Sequence, residues 1–182
     1  MSTVFLSGSR KMSRLNEPVR TRLQNMIQKG LSIVVGDANG ADKAMQSFLA
    51  EQNYASVIVF CSAGKCRNNV GDWPVKSIEV DPKLKGRAFY TVKDKAMAQV
   101  AEYGFILWDG ESKGSLANAE TLLDAGKKVA LYHAPTKRFV TLKSPSDLAS
   151  LHPTHSDGPP QGKRLRSEDA IQQSTLPFEN VS

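Results

Sequence analysis

The chain has no apolar run approaching the roughly 20 residues needed to cross a bilayer. Its first residues, Met1-Ser2-Thr3-Val4-Phe5-Leu6, enter an apolar segment without a basic leader or cleavage signal. A soluble, cytoplasmic protein with no membrane partner is expected. Histidine is scarce, three in 182 residues, and cysteine scarcer, with Cys61 and Cys66 alone. Two thiols supply neither a four-ligand metal site nor a disulfide framework, so free thiols, no dedicated metal site and no cofactor are expected. His133, His152 and His155 have no partnered spacing. The dinucleotide fingerprint G-x-G-x-x-G and the P-loop ending Gly-Lys-Ser/Thr are both missing, which excludes two common phosphate-binding signatures. Acidic residues are the minority, 18 against 24 Lys and Arg, and the net charge of +6 suits an anionic ligand or weak attraction to nucleic acid.

What is present divides at Leu151. The stretch from His152 to Gly162 is polar, rich in Pro and Gly and without periodicity, so residues 152–182 read as a disordered, flexible tail on one folded domain, residues 1–151. The tail carries three Lys/Arg and four Asp/Glu, which leaves the basic excess in the folded part. There, five short apolar runs lack alternation and are bounded by Gly: Val4–Leu6, Leu31–Val35, Val57–Phe60, Phe105–Trp108 and Val129–Tyr132. Such runs indicate strands buried on both faces. Helical period fills 15–29, 41–52, 88–102 and 115–125 between them. Strands alternating with helices demand parallel pairing through right-handed crossovers. The fold class is therefore α/β, a Rossmann-like doubly wound parallel sheet of about five strands, with 77–80 as a short addition and 138–142 as an edge strand.

Ligands of such sheets sit beyond the carboxyl ends of the strands, where loops enter helix amino termini that favour anions. Three loops there have suitable chemistry. Ser7-Gly8-Ser9-Arg10 combines a tight turn at Gly8, the Ser9 hydroxyl and an Arg10 fork that grips a phosphate or carboxylate bidentately. Gly36-Asp37-Ala38-Asn39-Gly40-Ala41-Asp42 has two glycines that let backbone approach a ligand, an Asn39 that tolerates left-handed geometry, and Asp37 or Asp42 for a ribose hydroxyl or base. Asp109 opens the third loop, in which Ser112, Lys113, Gly114 and Ser115 offer hydroxyls, an ammonium and N–H groups at a helix start. Each loop also has a plain structural reading: a strand-ending turn, a helix-start carboxylate at Asp42, and a turn capped by Ser115. Asp37, Asp42 and Asp109 could hold Mg²⁺ through a bound phosphate, although they lack a dedicated ligand spacing.

On these residues the chain resembles the SLOG superfamily, specifically a small bacterial branch of unknown function that opens with Gly-Ser-Arg. Gly36–Asp42 is similar to that branch's Gly-Gly-Ala-Arg-Gly-Ala-Asp, Lys93-Asp94-Lys95-Ala96-Met97 to its Arg-Asn/Asp-x-x-Met helix, and Trp108–Ser115 to its W-D-G-x-S-x-G-T loop. The likeness spans about residues 3 to 133. It implies binding of nucleotides or their derivatives, as in a sensor. It also points to two more distant relatives: the Lonely Guy phosphoribohydrolases, which cleave the N-glycosidic bond of nucleoside monophosphates, and DNA processing protein A, which binds single-stranded DNA. Asp37 and Asn39 replace the family's usual Gly and Arg, which removes a cation. Where the hydrolases carry a Glu this chain has Asn118, an amide that cannot act as a general base. If catalysis occurs, Asp94 and Glu120 are the candidate carboxylates, with Glu120 turned by about 200° from Asn118.

The tail ends in Gln173-Ser174-Thr175-Leu176-Pro177-Phe178, similar to the Gln-x-x-Leu-x-Phe/Leu peptides that dock on the bacterial sliding clamp. In that reading Gln173 hydrogen-bonds while Leu176 and Phe178 fill an apolar pocket. The resulting expectation is a nucleotide-binding domain, with N-glycosidic hydrolysis or clamp-recruited DNA association as the alternatives. Homo-oligomers are frequent in the superfamily.

Overall fold

The computed structural model describes residues 2–151, so the clamp-like peptide at Gln173, Leu176 and Phe178 lies outside the described residues. The elements run β1 (Thr3–Gly8), α1 (Glu17–Gln28), β2 (Ser32–Gly36), α2 (Ala41–Glu51), β3 (Val57–Ser62), β4 (Val75–Ile78), α3 (Gly86–Val100), β5 (Tyr103–Trp108), α4 (Lys113–Asp124), β6 (Lys128–His133), β7 (Arg138–Leu142) and α5 (Pro145–Ala149). They form one seven-stranded sheet in the order β4-β3-β2-β1-β5-β6-β7. Every neighbouring pair is parallel except β6 with β7. The order reverses between β1 and β5, and that switch point opens a crevice at the strand ends.

Continuous apolar strands are required because both faces are covered. Along β1, Val4 and Leu6 pack with Val19 and Leu23 of α1 and with Met45 and Leu49 of α2. Phe5 points to the opposite layer, against Met97 of α3 and Leu122 of α4. Phe5, Leu6, Leu23, Met45, Met97 and Leu122 are all within the fully buried set, and truncating one such side chain to Ala costs about 2–5 kcal/mol.

Element ends depart from the periodicity for local reasons. α1 starts at Glu17 rather than Leu15 because the Asn16 side chain caps it, accepting from the Val19 N–H at 3.3 Å, with Pro18 in the first turn. α4 begins two residues earlier than its apolar period, and its cap is Ser112 instead of Ser115: the Ser112 Oγ accepts the Ser115 N–H at 3.3 Å. α5 has too few residues to show a period; its signal is Ser144-Pro145 followed by Asp147, whose carboxylate accepts the Ser144 N–H at 3.0 Å. Free thiols are corrected to a disulfide between Cys61 and Cys66, since the turn after β3 brings their Cα atoms to 5.1 Å. Among the described residues no helix is long and apolar enough to cross a membrane.

Candidate ligand-binding cavity

At the switch point, β1 and β5 end side by side, and the loops that follow are tied together. Ser9 donates its backbone N–H to Leu107 at 2.9 Å and its hydroxyl to the Asp109 carboxylate at 2.5 Å. Asp109 also accepts the N–H groups of Glu111 at 3.1 Å and Ser112 at 2.8 Å. Burial pushes the Asp109 carboxyl up, but these hydrogen bonds outweigh it and hold the group below its ordinary value. Buried Ser9 is thereby a strut of the loop rather than a free hydroxyl.

The loops frame a cavity of about 660 Å³, walled on one side by α3 and roofed by the start of α4. Ten residues singled out in the sequence line it: Gly8, Ser9, Arg10, Asp42, Asp94, Asp109, Ser112, Lys113, Gly114 and Ser115. Gly36, Asp37, Asn39, Gly40 and Glu120 do not line it. Glu120 is exposed, on a different side of α4 from buried Asn118. Asn118 donates to the Ser7 hydroxyl at 2.8 Å and so ties α4 to β1.

The glycine loop after β2 is read differently once folded. Gly40, not Asn39, takes the positive φ, at +82°, and a Cβ there would lie 2.2 Å from the Arg10 carbonyl oxygen. The close approach it permits is to the Arg10 backbone, which places that side chain at the cavity. At Gly36 a Cβ would meet Asp42 Oδ2 at 2.5 Å and Lys93 Nζ at 2.6 Å, so its bare backbone makes room for these two buried side chains.

That pair is part of a cluster. Lys93 reaches Asp94 at 3.2 Å and Asp37 at 3.6 Å. Asp37 is held on its other side by Arg67, through the backbone N–H at 3.0 Å, Nε at 3.1 Å and Nη2 at 2.8 Å. Burial pushes the Asp37 carboxyl up and the Arg67 hydrogen bonds pull it further down, leaving it below the usual carboxylate range. Asp42 goes the other way. Burial, aided by the nearby Asp94 charge and opposed by Lys93, pushes it up to about 7. Asp37 and Asp42 share Lys93, Asp109 is held by Ser9 and its own loop, and no group of three or more potential metal ligands forms among the described residues.

Arg67, Arg87 and Tyr90 were not singled out in the sequence. Arg67 reaches the cavity from the β3–β4 loop, and its neighbour Asn68 donates to Asn39 Oδ1 at 2.9 Å. Arg87 donates to the Lys113 carbonyl at 2.7 Å, joining α3 to α4. Tyr90 lay inside the helical period read over 88–102, whereas Arg87 was missed because α3 begins two residues earlier, at Gly86. Of the six basic side chains lining the cavity, Lys11 pairs with Glu111, Arg67 with Asp37, and Lys93 with Asp37 and Asp94. Arg10 and Lys113 have no acidic partner among the described residues, and neither does Arg87.

Comparison with solved structures identifies the architecture. DNA processing protein A from Helicobacter pylori, described for its single-stranded DNA binding mode, superposes with a TM-score of 0.54 at 17% identity, over 71% of this chain and 64% of that one. DNA processing protein A from Streptococcus pneumoniae matches with a TM-score of 0.54 at 16% identity, over 82% of this chain and 61% of that one. The chain shares the fold of DNA processing protein A. It spans less than two thirds of either structure, and at such identity the fold is what is shared. No protein-family model matches the chain, and no curated protein does. In this fold the cavity occupies the switch-point crevice.

Proposed function

We propose that the cavity binds a nucleotide or nucleotide-derived ligand through its phosphate. The observation that carries this reading is the pairing of Arg10 and Lys113, both without acidic partners among the described residues, with the amino terminus of α4. There Ser112 satisfies the Ser115 N–H, while the N–H groups of Lys113 and Gly114 have no acceptor among the described residues. A helix start, an ammonium and a guanidinium together suit a phosphate. The volume is within the usual range for small-molecule sites, about 300–1,000 Å³.

The test is a thermal-shift and calorimetric screen of nucleotides against the full chain, Arg10→Ala and Lys113→Ala. A binding nucleotide raises the melting midpoint of the native chain by several degrees. Each variant weakens binding about 10- to 100-fold, as expected for loss of a charge-assisted contact. Equal affinities across the three proteins would remove the reading.

A second reading, association with single-stranded DNA, is favoured by the fold shared with a protein described as binding it and by the basic cavity rim. Recruitment to a sliding clamp by Gln173, Leu176 and Phe178 is compatible with both. For hydrolysis, Asp94 is the candidate carboxylate at the cavity, and release of free base from a nucleoside monophosphate is its assay.

A further inference from the structure

Among the described residues Tyr90 is the only aromatic side chain that lines the cavity, and it is half-buried. Two guanidinium groups lie over its ring, Arg67 at 4.5 Å and Arg10 at 5.1 Å from the centroid. The fork of Arg67 is engaged by Asp37, which fixes the orientation of its plane. Three conjugated planes from three elements therefore meet at one wall: the loop after β1, the β3–β4 loop and α3. On α3, Tyr90 follows Arg87 by three residues and precedes Asp94 by four, so along the axis it lies about 4.5 Å from the first and about 6 Å from the second. Arg87 is bonded to the start of α4, where the phosphate is placed, and Asp94 belongs to the buried charged cluster.

For an anion alone the ring serves to orient the two guanidinium groups. A planar, electron-rich base gains more, because it stacks on both tyrosine and guanidinium planes. We propose that Tyr90, with Arg10 and Arg67, forms the stacking wall for the base of the ligand, so that the cavity selects base-bearing nucleotides over sugar phosphates. This deepens the nucleotide reading of the same cavity and rests on it. Stacking recognises a π-face rather than a hydrogen-bonding edge, so the wall sets a preference for having a base more than for which base.

The experiment compares the four ribonucleoside 5′-monophosphates with ribose 5-phosphate by calorimetry on the full chain, Tyr90→Leu and Tyr90→Phe. In the native chain at least one monophosphate binds about tenfold or more tighter than ribose 5-phosphate, the gain of one stacked base. Tyr90→Leu closes that gap by weakening the monophosphates more than ribose 5-phosphate, whatever it costs both through Arg10; Tyr90→Phe, which keeps the ring, preserves the gap and controls for folding. A gap that survives Tyr90→Leu overturns the stacking wall and leaves the nucleotide reading standing. Ribose 5-phosphate binding as tightly as every monophosphate overturns the wall and reduces the site to a phosphate pocket. Binding of none of the five overturns both.

Discussion

Buried beside Lys93 and facing the carboxylates of Asp94 and Asp37, Asp42 keeps its proton up to about pH 7, against an ordinary value of 3.8. Between those two values the folded chain holds a proton that the unfolded chain has released. Stability therefore falls as pH rises through this window and levels off above it. Asp109 and Asp37, shifted downward, act in the opposite sense and lose their contribution only on acidification below about pH 4. The two effects are separable. Denaturant midpoints of Asp42→Asn are expected to stay flat between about pH 5 and 8 and to exceed those of the native chain at pH 8, because the amide still accepts the Ala38 N–H without a charge to desolvate. The same decline with pH in both proteins would show that Asp42 is ionised in the fold. Arg10 and Lys113 were legible in sequence because each lies in a loop between a strand end and the next helix or at that helix's start. Asp42 was legible as a residue of the site but not as a protonated one, since its state depends on Lys93 and Asp94, about 50 positions away.

At the scale of the element, the segment from Ala63 to Val70 carries Arg67 to the cavity without a helix or strand of its own. The disulfide anchors its start, and Asp37 receives Arg67. Asn68 donates to the Asp37 carbonyl and Asn39 Oδ1, and Gln46 accepts the Val70 N–H at 2.9 Å. Closing so short a loop stabilises by about 2 kcal/mol. Reduction is thus expected to lower the melting midpoint by roughly 5 °C in calorimetry. Cys66→Ser is expected to start at the lower midpoint and to ignore the reductant. A nucleotide affinity that holds on reduction would assign the positioning of Arg67 to Asp37 and not to the disulfide. This segment was opaque to periodicity because neither partner of Arg67, Asp37 or the Tyr90 ring, is near it in the chain. By contrast α4 was readable: its Ser, Gly and Lys residues carry capping chemistry within one turn.

For the whole molecule, the basic excess lies in residues 1–151, while 152–182 are nearly neutral, with three basic and four acidic residues. If the body binds single-stranded DNA, affinity for an oligonucleotide should fall roughly 10- to 100-fold between 50 and 200 mM salt, as phosphate contacts release counterions. Leu176→Ala with Phe178→Ala should leave that affinity and its salt dependence unchanged, yet abolish capture of a sliding clamp on a sensor surface. Loss of DNA binding in the double variant would assign it to the tail instead. The two activities are separable by construction, since every residue lining the cavity falls between Ser7 and Asn118.

Local chemistry alone determined the main strands and their parallel pairing, because burial on both faces is read within a few neighbouring residues, whereas the strand order, the antiparallel pairing of β7 and the start of β4 at Val75 rather than Ser77 came from the fold. β7 was legible over its full length, from Arg138 to Leu142. Tertiary structure decided which residues of the strand-end loops turn into the cavity and which serve as struts. It set Asp37 against Arg67, Ser9 against Asp109 and Gly40 against the Arg10 backbone, and left Arg10 and Lys113 without acidic partners among the described residues. The physical reason is that a side chain's charge state and availability depend on neighbours brought together by the sheet's switch point, across sequence separations of 30 to 100 positions.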